Sequence, residues 1–318
     1  MAAAAWSNAE RLETALKPTI GFVGLGHMGN PLCRQVLSRG YDVWIFDINP
    51  EAVSALGDTT ARPASTLREL AQAADVVLLS LPNSAIVEQV VLGDDGLIAG
   101  FSAGNVLIDT SSSRPTSTRH IAAELAKRQV DMLDAPVSGG VLRAKEGALA
   151  VMVGGQRTVF EQHRQLLETF GKQVFYVGGH GAGHMAKALN NLMSAATLAS
   201  AAEAVLLGIR AGLDAGTLIE VVNASSGRSN STEVKFPRYI LNGAFDDGFA
   251  VSLMTKDLKI ALDTASELGQ PMLIGTVVGQ VWQSAMAQGF GDASHTAIYT
   301  FLDRLAGQRP EESGAYGG

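Results

Sequence analysis

Apolar and polar positions follow two rhythms along the chain, and the change falls near residue 183. In the first half, short β-branched apolar runs alternate with segments whose apolar positions recur every three to four residues. Residues 19–25, 42–47, 75–81 and Val106–Asp109 predict buried strands, and 130–133, 149–153 and 174–177 extend the series. Residues 28–39 predict an amphipathic helix closed by Gly40, and Pro115 opens another that runs to about Arg128. Apolar strands separated by helices imply an α/β fold with a parallel sheet covered on both faces.

From His184 onward the strand signal disappears and Ala/Leu-rich helical patterns dominate. A long helix is expected over 188–211, ended by Gly212, with others at Ala215–Asn223, 255–268 and 275–288. Between the two halves, 178–183 holds four glycines in six residues and reads as a hinge. Residues 188–202 carry no charge, but Asn190, Asn191, Ser194 and Ser200 interrupt them. At 15 residues the stretch is short of the ~20 that span a bilayer, so a buried helix is expected.

Composition narrows the classes. A chain of 318 residues suggests two domains at about 150 residues each. With 47% hydrophobic and 17% charged residues, it can build sizeable cores. The net charge of −7 argues against nucleic-acid and anionic-membrane partners, which want clustered Lys and Arg. Cys33 is the single cysteine, so neither a disulfide framework nor a cysteine zinc site is expected, and a reducing cytoplasm fits. Residues 1–19 lack an apolar core with a cleavage site and read as a tail. His180 and His184 are four apart across glycines, a weak metal signal, and no G-x-S-x-G elbow occurs. Trp6, Trp44 and Trp282 are scattered and read as packing or tail residues.

Gly24-Leu25-Gly26-His27-Met28-Gly29 fits G-x-G-x-x-G between an apolar strand and a helix. Gly24 permits a tight turn, Gly26 lets backbone approach a pyrophosphate, and Gly29 allows close helix–strand packing. The helix N-terminus adds free N–H groups and a positive dipole end. Asp47 ends the second predicted strand, 21 residues after Gly26. A carboxylate there accepts hydrogen bonds from an adenosine ribose and repels a 2′-phosphate, which favours NAD over NADP. Arg62 and Arg68 lie in segments without an assigned strand or helix and leave NADP open.

Three further segments carry chemistry. Ser138, Gly139 and Gly140 follow a strand and expose backbone N–H groups beside a hydroxyl, a nest for a carboxylate or a plain turn. Lys187 and Asn191 face the same way on a helix; an amine oriented by an amide suits a proton donor to a carbonyl receiving hydride. Lys256 opens a later helix as a second possible pocket cation. On the residues alone, both lysines read equally well as solvated.

The order of these segments resembles the β-hydroxyacid dehydrogenase family over nearly the whole chain, from about Ile20 to Leu305. The motifs that carry the resemblance are GFVGLGHMG at 21–29, DAPVSGG at 134–140, GGHGAGHMAKALNN at 178–191 and TKDL at 255–258. It implies a Rossmann domain at 20–182, a long interdomain helix and an all-helical substrate and oligomerisation domain at 183–308, with tails at 1–19 and 309–318. It implies Lys187 as the catalytic acid/base oriented by Asn191, and Ser138, Gly139 and Gly140 on the substrate carboxylate. Leu81, Pro82, Ser112, Phe249 and Lys256 would line the NAD(P) cofactor with Gly24, Gly26, His27, Met28, Gly29 and Asp47. The active site would be a cleft between the domains of a homodimer or homotetramer. The expected reaction is hydride transfer between NAD(P) and a small β-hydroxy acid or its semialdehyde, as in 3-hydroxyisobutyrate dehydrogenases.

Arg228, in Ser225-Ser226-Gly227-Arg228, would touch a polar substrate tail or make a surface ion pair. The polar Ser229-Asn230-Ser231-Thr232 then stands where the hydroxyisobutyrate enzymes carry an aromatic residue. A substrate more polar than hydroxyisobutyrate is expected. Two other functions share the architecture: a non-catalytic cofactor-binding module, and an imine reductase. A Lys at 187 counts against both.

Overall fold

The computed structural model describes residues 17–307. The expected tail 309–318, and residues 1–16 of the expected tail 1–19 with Trp6, lie outside the described residues. Residues 17–19 belong to the fold: the Thr19 amide donates to the Asp75 carboxylate at 2.8 Å, and Lys17 Nζ to the Arg39 carbonyl at 2.6 Å.

Among the described residues nine strands form one sheet: β1 (Ile20–Val23), β2 (Val43–Phe46), β3 (Arg62–Pro63), β4 (Val76–Leu79), β5 (Val106–Asp109), β6 (Asp131–Asp134), β7 (Val137–Ser138), β8 (Leu149–Gly155) and β9 (Gly171–Gly178). Their order is β3-β2-β1-β4-β5-β6-β8-β7, with β9 pairing β8. The first six run parallel; β8 is antiparallel to β6 and β7 and parallel to β9. The sequence pattern missed β3 and β7, since Arg-Pro and Val-Ser are too short to show a period and Pro63 fits only an edge strand.

Alternate side chains enter two cores, one on each face. Leu78 and Ile108 join Phe22, Ile45 and Leu133 on one side, beneath α1 (Gly29–Ser38) and α7 (Arg157–Leu167). Val77, Leu79 and Leu107 face α3 (Leu67–Ala73), α4 (Ser84–Leu92) and α5 (Pro115–Ala126) on the other. Two shorter helices, α2 (Pro50–Ser54) and α6 (Gly140–Lys145), complete this unit. Cys33 is fully buried on α1, where burial pushes its thiol up to about 12, so it acts as a small core residue. The parallel order turns back between β1 and β4, which makes the carboxyl ends of those strands the crevice where such sheets bind ligands.

The chain separates into two compact units, one ending at His184 and the other starting at Met185. The second contains α8 (Ala182–Arg210, which begins three residues before it), α9 (Ala215–Asn223), α10 (Val251–Glu267), α11 (Leu273–Ala287) and α12 (Ile298–Leu305). A wide π-helical segment spans Ser231–Ile240. Its core gathers Leu198 and Val205 of α8, Phe236, Leu258, Trp282 and Phe301. Ala188, Ala195 and Ala202, seven residues apart on α8, are buried and let neighbouring helices approach closely.

Helix α8 starts six residues before the expected 188, so part of the expected hinge is its first turn. Asp134 is the reason. Its two carboxylate oxygens accept the Gly181 and His184 amides at 2.8 and 3.0 Å, filling orphan donors of the helix start with a negative charge. Gly183 survives inside a helix because a Cβ there would overlap the Met152 carbonyl. At 29 residues α8 is also long and apolar enough to cross a membrane, so the length argument from sequence fails. Its buried stripe in the second core identifies it as a core helix instead.

The π-helical segment contains Pro237, which has no N–H to give to the Thr232 carbonyl five residues back. Asn223 Nδ2 donates to that carbonyl at 3.1 Å in its place. Wide turns of this kind are frequent at functional sites.

Candidate active site

In the first unit the glycine-rich turn sits at the β1 end of the crevice. Gly24 has φ +90°, and a Cβ on it would strike the Ser80 carbonyl after β4. A Cβ on Gly29 would overlap the Gly24 carbonyl, while one on Gly26 would meet nothing within 4 Å. Two glycines are therefore required by the protein's own packing, and the third faces open space that a ligand can enter. Among the described residues, the N–H groups of Gly26, His27 and Met28 meet no acceptor. No acidic residue occupies the first turn of α1 and no side chain caps it, so its positive end is available to an anion.

Asp47, beyond β2, holds this turn in place. Its Oδ2 accepts the Leu25 amide at 2.6 Å and its Oδ1 accepts the Asn49 amide at 2.8 Å. A carboxylate takes about four hydrogen bonds, so acceptor capacity remains for a ribose hydroxyl. Arg62 is engaged elsewhere: it pairs with Asp42 at 3.3 Å and lies over the Trp44 ring. Arg68 is on α3. Leu81 and Pro82 follow β4, where the Leu81 amide donates to Ser111 Oγ at 2.9 Å, and Ser112 is next along that second loop. The donors and the open cradle fit a dinucleotide.

Ser138 ends β7 opposite Ala150, and Gly139 and Gly140 follow with φ +138° and +72°. Both glycines are exposed, so their backbone is within reach of a small molecule.

A second group gathers in the C-terminal unit on α8 and α10. Lys187 is 9% exposed, and among the described residues its ammonium has no hydrogen-bond partner. Burial lowers its pKa; Asp257 opposes that shift and Lys256 adds to it. One turn further along α8, Asn191 donates through Nδ2 to Asp257 Oδ2 at 2.6 Å and accepts from Asn190 at 3.1 Å. Asp257 Oδ1 lies 3.6 Å from Lys256 Nζ. The acid thus locks the Asn191 amide and sets the charge around Lys187. The sequence pattern passed over Asp257 because its neighbour Lys256 looked like the functional member of TKDL. A buried acid opposite an Asn becomes visible only once α8 and α10 are packed.

Two more expected site residues, Arg228 and Phe249, have these neighbours within the C-terminal unit. Arg228 is 63% exposed and pairs with Glu233 at 3.7 Å, the surface ion pair that competed with a substrate role. Phe249 packs edge-on against His295, with ring centroids 5.5 Å apart, and its carbonyl accepts the His295 amide. His180 and His184 serve separate partners: His180 bonds the Met132 carbonyl at 3.1 Å, and His184 bonds Thr118 Oγ1 at 2.7 Å beside Asp109 and Asp134.

Parallel strands in this order, with an open glycine cradle at their reversal point, define a dinucleotide-binding fold. Residues 19–178 match the family described as the NAD binding domain of 6-phosphogluconate dehydrogenase. Residues 181–302 match the one described as NAD-binding of NADP-dependent 3-hydroxyisobutyrate dehydrogenase. The chain is 37% identical over 296 residues to a 2-(hydroxymethyl)glutarate dehydrogenase of Eubacterium barkeri, covering 93% of this chain and 98% of that one. It is 37% identical to an NAD-dependent L-serine dehydrogenase of Pseudomonas aeruginosa, covering 91% and 99%. A 3-hydroxyisobutyrate dehydrogenase of Mycobacterium tuberculosis, solved with L-serine, superposes with a TM-score of 0.84 at 31% identity, covering 90% and 99%. The chain belongs to the β-hydroxyacid dehydrogenase family of NAD(P)-dependent oxidoreductases.

Proposed function

We propose that this enzyme oxidises a small β-hydroxy acid more polar than hydroxyisobutyrate, or reduces the corresponding semialdehyde, with Lys187 as the general acid/base and NAD preferred. The observation that carries the reading is the environment of Lys187: a buried amine of lowered pKa, without a hydrogen-bond partner among the described residues, one helical turn from an Asn fixed by Asp257. The substrates named for the three relatives share a hydroxymethyl group on the carbon bearing the carboxylate. A nicotinamide dinucleotide held at the glycine cradle and Asp47 would supply hydride-transfer chemistry for the carbon bearing the hydroxyl.

Neutral Lys187 takes the hydroxyl proton in oxidation, and protonated Lys187 gives it back to the carbonyl oxygen in reduction. Asn191 orients that oxygen. Ser138 and the backbone N–H groups of Gly139 and Gly140 hold the carboxylate, which fixes the position of the reacting carbon. Gly24, Gly26, His27, Met28 and Gly29 cradle the pyrophosphate; Asp47 receives the ribose, and Leu81, Pro82 and Ser112 flank the cofactor, as do Phe249 and Lys256. Within Ser229 to Thr232, Ser231 and Thr232 are buried with their hydroxyls bonded to Thr197 and Ser229, which leaves exposed Asn230 to meet a hydrophilic substrate tail. The lone buried cysteine supports a reducing cytoplasmic setting, and the family resemblance a homodimer or homotetramer.

The test is NAD⁺ and NADP⁺ reduction at mildly alkaline pH with 3-hydroxyisobutyrate, 3-hydroxypropionate, serine, glycerate, threonate and 2-(hydroxymethyl)glutarate. NAD⁺-dependent turnover is expected, strongest on a polar member. A higher kcat/KM for 3-hydroxyisobutyrate than for every other acid would end the polar-substrate reading.

A further inference from the structure

Lys235 is a second buried amine in the C-terminal unit, on the π-helical segment, and nothing described so far uses it. It is 8% exposed, and Nζ donates to Ser194 Oγ at 2.8 Å. That is one hydrogen bond for a group with three donors. Among the described residues no carboxylate comes within 4.0 Å of it. The acid that influences it, Asp247, is committed to other partners: its Oδ2 lies 2.7 Å from His295 Nδ1, and its Oδ1 accepts from Ser294. Burying an ammonium against a single neutral hydroxyl is costly, and a methionine would fill the same space without that cost.

The position of Ser194 gives the amine a purpose. Ser194 follows Asn191 by three residues on α8, about 4.5 Å along the helix axis, on the face that carries Lys187 and Asn191. One turn further, Thr197 Oγ1 meets Ser231 Oγ at 3.2 Å, so the π-helical segment is fastened to the same polar stripe at two points. Four or five bonds of a substrate lying along this face would carry a distal group from Asn191 to Lys235.

We propose that Lys235 is a specificity-determining residue that receives a second anionic group, so that the preferred substrate is a dicarboxylic β-hydroxy acid. This rests on the placement of the substrate at Lys187 and Asn191 proposed above. Ser194 holds the ammonium in place, and the two remaining N–H groups take the distal carboxylate. Exposed Arg228, the earlier candidate for this task, has Glu233 instead.

The test is calorimetric binding of glutarate and of butyrate to the NAD⁺-loaded enzyme, neither of which can react. Glutarate is expected to bind at least ten-fold more tightly, with Lys235→Met removing the difference and Lys235→Arg keeping part of it. Met leaves no buried charge, so its thermal midpoint should not fall, and butyrate binding to it should match the parent. Equal affinities in the parent, or a preference for glutarate that survives Lys235→Met, would overturn the proposal. Because binding is read without turnover, failure here is distinct from failure of the dehydrogenase reading. With a hydroxylated diacid as substrate, the same variant should raise KM and leave kcat within a few-fold; a fall in kcat alone would also count against the assignment.

Discussion

Lys187 suits the proposed acid/base role because its surroundings disfavour its charge. Burial lowers its pKa, Lys256 adds to that, and Asp257 works in the opposite direction. The base form is the neutral amine, so the oxidation rate should rise with pH and level off above the Lys187 pKa. The midpoint should lie below the ~10.4 of a free lysine. Lys187→Ala should lower kcat by about two to four powers of ten and leave NADH binding unchanged by fluorescence titration. A variant with near-normal turnover would remove Lys187 from the mechanism. Asp257→Asn gives a signed companion test. An Asn keeps an acceptor for Asn191 Nδ2 but removes the negative charge that raises the Lys187 pKa. The midpoint of the rate profile should therefore move to lower pH, while KM stays within a few-fold. A purely structural acid would give no such displacement. Sequence spacing could pair Lys187 with Asn191 because both lie on one helix. It could not reach Asp257 or Lys235, since those approach α8 from other elements and only packing brings them there.

At the scale of elements, the strands were legible wherever apolar β-branched runs are long, and the errors have physical causes. β3 is a two-residue edge containing proline. The start of α8 was displaced because glycines at 178, 179, 181 and 183 suggest a loose turn, whereas Asp134 supplies the acceptors that begin a helix there. The π-helical segment hides behind Pro237, a residue that on its own argues against any helix. Asp134 therefore decides where the helix that carries Lys187 begins. Asp134→Ala leaves two buried backbone N–H groups without acceptors and should cost about 3–6 kcal/mol in urea unfolding, at roughly 1.5–3 kcal/mol per bond to a charged partner. Turnover should fall as well, because Lys187 stands one turn after the capped amide of His184. A loss under about 1 kcal/mol would show that the α8 start does not depend on this carboxylate.

At the scale of the whole molecule, the alternation of strands and helices foretold an α/β unit followed by a helical one, but not the strand order. That order places β1 beside β4, and with it the glycine cradle beside Leu81. Cofactor binding to such a cradle is visible in the stability of the native state, because a ligand that binds only the folded chain stabilises it by RT ln(1 + [L]/Kd). NAD⁺ at a hundred times its dissociation constant should contribute about 2.7 kcal/mol, worth several degrees in the unfolding transition that reports the first unit. The Asp47 carboxylate already accepts two backbone amides, and a 2′-phosphate brought against it adds like-charge repulsion. NADP⁺ at the same concentration should therefore give a shift smaller by about 1.4 kcal/mol or more, a ten-fold weaker affinity. Asp47→Asn narrows that gap by removing the charge while keeping an acceptor for the Leu25 amide. Equal shifts for the two cofactors in the unsubstituted enzyme would mean that the 2′-phosphate lies clear of Asp47, and the preference for NAD would fall with it.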